Sequence, residues 1–485
     1  MRHETLLLEI GTEELPPKSL LALKTAFAEN LKKALDDRQF NYGDVAAFAT
    51  PRRLAVIVTA CEDIQPEQLI QRKGPKLSAA FDSDGQPTKA LNGFLKSCGI
   101  TDPNLLEQEE TEKGAWVLYR STQAGATLSS EIQGMLIEAT ATLPIAKRMR
   151  WQRYRTEFVR PVRWLVALYG KDILDCQFHG RTAGAITYGH RAMSGDDPIT
   201  LSHADQYEAK LEAGFVIADF EKRQALINEQ LNAAASARSA IAADDPGLLE
   251  EVTALTEWPH VLSGDFDPKF LAVPEEALIS AMREHQRYFH LRDAAGQLQP
   301  SFLTVANLDS LQPEQVIAGN ERVIRPRLAD AQFFYNKDLQ KPLEDALGQL
   351  NQVVFQNELG SFGDKARRIS ALAAIIAKSL GTNEADAARA GLLAKTDLVS
   401  LMVGEFPELQ GIMGSYYAKA QGESSVIADS ILGHYLPRFS GDELPSSMTA
   451  CAVAIADRID TLVGLFGIGQ PPTGSKDPFA LRRQS

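Results

Sequence analysis

The residues from Gly469 to Lys476 read GQPPTGSK, one transposition away from the phosphate-binding loop GxxxxGK[ST]. Such a loop follows a buried strand and opens a helix, so that backbone N–H groups surround a phosphate. Here the preceding segment, AVAIADRIDTLVGLF, has a helical pattern, and Pro471 and Pro472 have no N–H groups to offer. The sequence therefore predicts a turn that contacts a partner or another part of the chain, rather than a nucleotide site.

The histidines and cysteines do not form a recognisable metal or nucleophile motif. The sequence contains no HExxH, GxSxG, GxGxxG or CxxC. His285 and His290 are five residues apart, which does not align them on one helical face. We therefore predict neither a metal site nor a complete catalytic site in this chain.

A set of acidic residues in the C-terminal part invites comparison with helical phosphohydrolases. Those enzymes hold a divalent metal with a histidine, a His-Asp pair and a later aspartate, and the metal activates water. The segment LLAKTDL places Thr396-Asp397 where the His-Asp pair would stand, and ADRID supplies Asp457 and Asp460. Between residues 343 and 485 the sequence has a single histidine, His434. We expect the helical scaffold without its metal.

Arginines and aromatic residues are interleaved at several places, most densely between Lys147 and Trp164. Arginine forks pair with phosphate, and aromatic rings stack on unpaired bases, so this pattern favours RNA contact. The alternative is a solvated surface whose arginines pair with the many acidic side chains. The predicted RNA-binding residues are Lys147, Arg148, Arg150, Trp151, Arg153, Arg155, Arg160, Arg163, Arg287, Arg322, Arg325 and Arg327.

Two interpretations of the first cluster remain open. Trp151 and Tyr154 are three residues apart and could share one core-facing side of a helix. The arginines around them would then either face RNA or form ion pairs on the surface of that helix.

The elements that must position these residues follow from hydrophobic spacing. The pattern predicts a strand at LLLEIG, a helix over Ser19–Leu35 and two strands flanking Pro51. The segment that starts at QRKGPKL has the composition of a loop leading into a short helix near Ala90, and GAWVLYRST is typical of a strand.

The second half of the chain shows a different pattern. Helices are predicted over 220–237 and 246–255, and a mixture of short strands and helices over 258–335, with FLTVANL as the clearest strand. From about Leu343 to Phe466 the chain is rich in alanine and leucine and is predicted to be almost wholly helical.

Length and composition set the broad class. A chain of 485 residues is expected to form two to four domains. We predict an α+β multidomain protein with an N-terminal α/β region over 1–143 that carries a loop-rich insertion. An α/β region with the basic-aromatic clusters follows over 144–342, and a helical domain over 343–485.

Charge and cysteine usage narrow the function classes. The net charge of −13 argues against a generally basic nucleic-acid binder but allows local basic surfaces. The four cysteines are far apart, which makes a disulfide framework or a zinc ribbon unexpected. No apolar run approaches the ~20 residues that cross a bilayer. A cytoplasmic protein without a membrane partner is predicted.

Nine stretches, taken together, resemble one protein family. They occur in the family's order from Leu6 to Arg483 and resemble the β subunit of the bacterial heterotetrameric glycyl-tRNA synthetase. The stretches are LLLEIGTEELPP, TPRRLAV, KRMRW, FVRPVRWLVAL, EWP, MREHQRYF, GNERVIRPRLADAQFF, GEFPELQGIMGSYYA and GIGQPPTGSKDPFALRR.

The resemblance implies a subunit of an aminoacyl-tRNA synthetase, a ligase, in an α2β2 assembly. A separate α subunit would hold the class II aminoacylation core with ATP and Mg²⁺, whereas this chain would bind tRNA(Gly) and carry no cofactor. The helical region of the family is related to His-Asp-type phosphohydrolase domains.

The resemblance also leads us to expect that this chain lacks the C-terminal anticodon-binding domain, because family members continue past DPFALRR. Two other functions are kept as alternatives: a metal-dependent phosphohydrolase of the His-Asp type, and a scaffold that binds only proteins.

Overall fold

The structure is a computed structural model that describes residues 2–82, 85–111, 114–151, 156–195, 197–474 and 476–485. The chain divides into two compact units. The first unit comprises Met1–Gln230, Pro246–His260 and Val305–Asp309, and the second comprises Leu231–Asp245, Val261–Thr304 and Ser310–Ser485. The division into three regions at residues 143 and 342 stays a prediction.

The strands of the described residues are numbered in chain order. They are β1 (His3–Thr12), β2 (Val45–Thr50), β3 (Arg53–Glu62), β4 (Gln68–Lys76), β5 (Leu106–Thr111), β6 (Gly114–Gln123), β7 (Met149–Arg150), β8 (Glu157–Phe158), β9 (Val162–Tyr169), β10 (Asp172–Ile173), β11 (Gln177–Phe178), β12 (Arg181–Thr182), β13 (Ile186–Tyr188), β14 (Pro198–Thr200), β15 (Ile241–Ala242), β16 (His260–Asp265), β17 (Phe289–Arg292), β18 (Leu298–Ala306), β19 (Val354–Gln356) and β20 (Gly360–Ser361).

The α-helices are numbered in the same way. They are α1 (Pro17–Asp37), α2 (Leu77–Ala80), α3 (Lys89–Cys98), α4 (Leu128–Ala141), α5 (Tyr207–Ala213), α6 (Phe220–Ala237), α7 (Pro246–Leu255), α8 (Glu275–Ser280), α9 (Pro313–Leu339), α10 (Ala346–Leu350), α11 (Phe362–Leu380), α12 (Glu384–Leu393), α13 (Leu401–Glu405), α14 (Ile412–Ala420), α15 (Ser425–Gly433), α16 (Met448–Gly467) and α17 (Leu481–Gln484).

The first unit is built on a five-stranded antiparallel sheet with the order β10-β9-β1-β3-β2. The central strand β1 is buried on both faces, which explains its nearly continuous apolar run. Leu6, Leu8 and Ile10 point into one core cluster, whereas Leu7 belongs to the cluster on the opposite face. The strand predicted at LLLEIG is confirmed.

Helix α1 covers one face of this sheet together with α4. Leu20, Leu23, Phe27 and Leu31 recur at helical spacing and are fully buried. Pro17 stands in the first turn, where its missing N–H costs nothing. The predicted helix and the two strands around Pro51 are confirmed.

A smaller antiparallel sheet with the order β4-β6-β5 packs against α3. The loop prediction for QRKGPKL was wrong, since residues 71–76 belong to β4 and Leu77 begins α2. Pairing with β6, for instance Gln71 with Arg120, outweighs the local preference of glycine and proline for turns. The short helix and the strand GAWVLYRST are confirmed.

The second unit contains a sheet with the order β15-β17-β18-β16 and the 27-residue helix α9. The mixed pattern predicted for 258–335 missed this helix, because Pro326 lies inside it and its sequence is strongly charged. Ile324, Leu328 and Ala331 form its buried face. The helices predicted over 220–237 and 246–255 and the strand at FLTVANL are confirmed.

From α11 onward the second unit is mainly a helical bundle. Ser361 and Asp364 form a capping box that starts α11, whose buried face includes Ile369 and Ala373. Helix α11 packs against α12 and α16. The helical prediction is confirmed, apart from the short hairpin of β19 and β20.

The described residues therefore mix helices and strands through the first two thirds of the sequence and are mostly helical beyond. Among the described residues, no helix is both long enough and apolar enough to span a bilayer. The likeness of the helical part to phosphohydrolase domains stays a prediction.

Candidate nucleic-acid interface

The basic stretch that begins at Lys147 enters a two-residue strand. Strand β7 pairs antiparallel with β8, which places Arg150 opposite Glu157, and the two side chains form an ion pair. Where this stretch is described it forms β7 and β8 and not the helix that the interpretations allowed, and the choice between RNA contact and surface ion pairs stays a prediction. The opposite charges across the strand pair are stabilising.

Lys147 and Arg148 are exposed next to the β7–β8 strand pair. Arg153 and Arg155, together with Tyr154, lie outside the described residues. The structure therefore places three of the predicted RNA-binding cations, Lys147, Arg148 and Arg150, on the surface, and the role of this stretch stays a prediction.

Trp151 is half-buried and packs against the core of the main sheet. Its ring meets the imidazole of His179 edge to face, with 5.6 Å between ring centroids. Burial, and then the charge of Arg148, lower the pKa of His179, so the imidazole is neutral at pH 7. Trp151 thus faces the core beside the β7–β8 strand pair, whereas Lys147, Arg148 and Arg150 are exposed.

Arg160 and Arg163 flank the start of β9. Arg160 donates to the backbone oxygen of Val159 at 2.8 Å and is half-buried. Arg163 has a side chain that is 58% exposed, and its Nε lies 3.3 Å from a carboxylate oxygen of Glu13. Only Arg163 of this pair presents most of its guanidinium to solvent.

The remaining predicted cations belong to the second unit. Arg287 has a left-handed backbone with φ of 56°, and its guanidinium donates to the backbone oxygen of Glu284 at 2.8 Å. Arg322 and Arg325 are exposed on α9. Arg327 lies 3.8 Å from Glu405. Arg322 and Arg325 are thus the more exposed of the three predicted cations on α9.

Beneath the arginines of the first unit lies a buried ionic network centred on Arg53, whose side chain is fully buried. Its Nη2 lies 3.3 Å from Oε1 of Glu257, and its Nη1 lies 3.8 Å from Oε2 of Glu9. It also donates to Thr50 Oγ1 at 3.1 Å and to the backbone oxygen of Tyr188 at 2.9 Å. One guanidinium thereby links β1, β3 and the segment after α7.

Glu257 and Arg53 both remain charged within this network. Burial alone would raise the pKa of Glu257, but the charges of Arg53 and Arg52 and a hydrogen bond from Thr50 hold it below its usual value. For Arg53, burial is outweighed by Glu257 and Glu9, which raise its pKa. The pair therefore remains ionised in the interior.

Trp164 is positioned by the same network. Its indole N–H donates to Glu9, which also accepts a hydrogen bond from Thr187 at 2.7 Å. The ring covers Gly11: a Cβ built on that glycine would lie 1.9 Å from the indole carbon Cδ2. The indole is thus held against the strand β1 backbone with its orientation set by a buried carboxylate.

Above the network is a cleft of about 430 Å³ that we call the arginine cleft. Its wall consists mainly of guanidinium groups around two aromatic rings. The residues are Arg52, Arg163, Trp164, Arg181, Tyr188, Arg191 and Gly195. A neighbouring cavity of about 610 Å³ shares Arg163, Trp164, Arg181 and Tyr188 with it. The structure thus brings Arg163 together with three arginines that the sequence pattern did not single out.

The helical part of the second unit contains another buried ionic cluster. Asp457 lies 2.8 Å from the Nζ of Lys365 and 2.7 Å from the Nζ of Lys395, and both lysines are almost fully buried. Lys395 also lies 2.7 Å from Nε2 of His434. Burial and then Lys395 lower the pKa of His434 to about 3, so its neutral ring accepts that hydrogen bond.

Asp397 lies in the same helical part but does not join the lysines. It is fully buried and accepts hydrogen bonds from the backbone N–H groups of Gly411 at 2.5 Å and Gly414 at 3.0 Å. Burial raises its pKa to about 6, and those hydrogen bonds oppose the shift. Across the described ranges, no group of three or more histidine, cysteine or acidic side chains could hold a metal.

Comparison with known proteins decides the family. A sequence profile described as "Glycyl-tRNA synthetase beta subunit" matches residues 6–485. This chain belongs to the glycyl-tRNA synthetase β-subunit family. The glycine–tRNA ligase β subunit of Hahella chejuensis is 50% identical over 484 residues, and that of Marinobacter nauticus is 49% identical over 486 residues. Each match covers 100% of this chain and 70% of the relative.

In this glycyl-tRNA synthetase β chain, the buried network is made from the stretches that carry the family resemblance. LLLEIGTEELPP supplies Glu9, TPRRLAV supplies Arg53, FVRPVRWLVAL supplies Trp164 and EWP supplies Glu257. The resemblance was therefore carried by residues that hold the first unit together, as well as by surface arginines.

Sequence reasoning missed this network, although a signal was present. Glu9 interrupts an otherwise apolar strand, and Arg52 and Arg53 precede another. Charged residues are rarely buried unless they are paired, so a charge inside a predicted core strand indicates a partner elsewhere. The pattern could not name Glu257 as that partner, because it lies about two hundred residues away in the sequence.

Proposed function

We propose that this chain is the tRNA-binding β subunit of a two-component glycine–tRNA ligase. The observation that carries the proposal is the match of residues 6–485 to the glycyl-tRNA synthetase β-subunit profile. Identity of about half the residues with proteins named glycine–tRNA ligase β subunit supports it.

The proposed partner is a separate α subunit, in an α2β2 assembly in the cytoplasm. That subunit would bind ATP with Mg²⁺ and join glycine to AMP, with release of pyrophosphate, before transfer of glycine to tRNA(Gly). This chain would contribute tRNA binding and contacts with the α subunit, and it would require no cofactor of its own.

The surface from Lys147 to Trp164 is the proposed tRNA-facing side of the first unit. Exposed Lys147 and Arg148 and the largely exposed Arg163 support it, since phosphate contacts need accessible cations. The exposed Arg322 and Arg325 on α9 are a second proposed contact.

The helical part is proposed to be a phosphohydrolase-like scaffold without a catalytic metal. Asp457, which stands where phosphohydrolases would have their later metal-binding aspartate, forms ion pairs with the ammonium groups of Lys365 and Lys395. Two buried ammonium groups at this position favour a structural role over metal-dependent hydrolysis.

Glycine attachment tests the proposed function directly. With purified α subunit, ATP, Mg²⁺, glycine and tRNA(Gly), we expect glycyl-tRNA to accumulate only when this chain is added. The chain alone should give background pyrophosphate exchange with glycine. Robust exchange without the α subunit, or no charging and no tRNA binding in the mixture, would contradict the proposal.

The tRNA-facing surface is tested by replacing both Lys147 and Arg148 with glutamine, which removes two positive charges. We expect weaker tRNA binding and a shallower dependence of log affinity on log salt, by roughly one unit for each phosphate that is no longer bound. Fluorescence anisotropy with labelled tRNA(Gly) at several salt concentrations measures both quantities.

A matched control replaces Lys210 and Lys222, two exposed lysines of the first unit, with glutamine. It removes the same net charge, so any general electrostatic effect should appear in both variants. Equal slopes in the two double variants would move the tRNA contact away from Lys147 and Arg148.

A further inference from the structure

The arginine cleft differs from an ordinary charged surface because one of its cations is already desolvated. Arg52 is 8% exposed, and it donates to the backbone oxygen of Gly189 at 3.1 Å. Its Nε is buried and has no hydrogen-bond partner among the described residues. Its nearest ion-pair contact, to Glu257, is 3.9 Å long, and that carboxylate lies closer to Arg53. The positive charge of Arg52 is therefore only weakly compensated by the protein, which favours an anion beside it.

The other cations of the cleft are only partly neutralised. Glu13 contacts Arg163 at 3.3 Å and Arg191 at 3.1 Å, and Glu14 contacts Arg191 at 3.0 Å. Arg181 is exposed and donates to a backbone oxygen, that of Val162, at 3.3 Å. Glu13 and Glu14 therefore offset part of the charge of Arg163 and Arg191. Arg52 and Arg181 add positive charge that favours an anion in the cleft.

Two aromatic rings stand beside these cations. Trp164 and Tyr188 meet edge to face with 5.1 Å between centroids, and both line the cleft and the neighbouring cavity. Trp164 is fixed by its hydrogen bond to Glu9. Guanidinium groups with fixed aromatic rings are the combination that holds a phosphate and stacks on an exposed base.

We propose that the arginine cleft binds an unpaired nucleotide at an end of RNA, with its phosphate on Arg52, Arg163 and Arg181 and its base against Trp164 and Tyr188. The cavity volumes of about 430 and 610 Å³ fall within the ~300–1,000 Å³ of small-ligand sites, so the space fits a nucleotide or two. A base that is stacked in a duplex offers no free face to these rings, which selects single-stranded RNA. The assignment rests on the proposed tRNA-binding function and specifies which part of the RNA binds in the cleft.

The test compares two labelled RNA hairpins, one with a four-nucleotide unpaired tail and one with a blunt end, by anisotropy with the full chain. We expect the tailed hairpin to bind about tenfold more tightly, as one or two charge-assisted contacts would give. Arg163→Gln combined with Arg181→Gln should remove most of this ratio, and Tyr188→Leu should reduce it. Arg120→Gln, which alters an exposed arginine of β6, should leave the ratio unchanged.

The ratio of the two hairpin affinities distinguishes binding in the cleft from general electrostatic attraction to RNA. Equal binding of both hairpins, or an undiminished ratio in the double variant, would overturn the assignment. Inorganic phosphate and a free nucleotide are also compared as competitors of the tailed hairpin. If phosphate competes fully at the same concentration as the nucleotide, the cleft is a simple anion site and the assignment is overturned. If charging with the α subunit succeeds while the ratio stays at one, the cleft assignment fails and the proposed function stands.

Discussion

Replacing Arg53 with leucine is expected to lower the free energy of unfolding of the first unit by about 3–5 kcal/mol. The substitution leaves Glu9 buried without its ion-pair partner, and it leaves Glu257 with the 3.9 Å contact to Arg52 in place of the closer pair at 3.3 Å. Adding Glu257→Gln to the variant should recover part of the stability, because it removes one uncompensated buried charge.

Tryptophan fluorescence during urea unfolding reports this change selectively. The chain has four tryptophans, Trp116, Trp151, Trp164 and Trp258, and all belong to the first unit. Arg120→Leu is the matched control, since its ion pair with Glu107 is exposed and should contribute at most about 1 kcal/mol. Similar decreases in the two variants would show that the buried network contributes no more than a surface pair.

Replacing Asp457 with asparagine is expected to destabilise the helical part of the second unit by a similar amount, about 3–5 kcal/mol. Lys365 would keep Asp460 at 3.1 Å, but Lys395 would keep only neutral His434 and the ring of Tyr435. Hydrogen exchange of the α16 amides measures the destabilisation. Asp429→Asn removes an exposed pair with Lys419 and is the control, with little expected change. Unchanged exchange in the Asp457 variant would contradict the prediction.

The same cluster sets a pH dependence. The lysines hold the pKa of Asp457 far below its usual value despite burial, so its stabilisation is present above about pH 4 and disappears as the pH falls further. His434, with its pKa lowered to about 3, also favours the folded state less as the pH falls from 6.5. Asp397 acts in the opposite sense, since its pKa of about 6 makes the folded state more stable as the pH falls through that value. Asp397→Asn should therefore steepen the decline in the free energy of unfolding between pH 6 and 4, as measured by urea titrations across that range.

Local patterns were enough to predict much of the fold. The apolar spacing from Leu20 to Leu31 predicted α1, because that spacing belongs to a helix, and the short apolar run at LLLEIG predicted β1. Helix α9 was missed, since a proline and many charges mask its buried face. Strand β4 was missed because its pairing with β6 is non-local.

The arginine cleft was only partly predictable. Arg163 was singled out by its aromatic neighbour, but Arg52, Arg181 and Arg191 come from other elements and meet it only in the folded chain. Glu257, the buried partner of Arg53, could not be predicted for the same reason. Sequence spacing describes one helix or strand at a time, whereas an ionic site is assembled by the contacts between them.

Because Trp164 packs directly on Gly11, substitutions at these two positions depend on each other. A side chain at position 11 would occupy the space of the indole, so the strand accepts a larger residue there only when position 164 becomes small. In a library randomised at both positions, functional clones should contain either the original pair or a compensated exchange. Clones with a single change at position 11 should be lost from selection. A variant with both residues changed is therefore difficult to obtain through that single substitution.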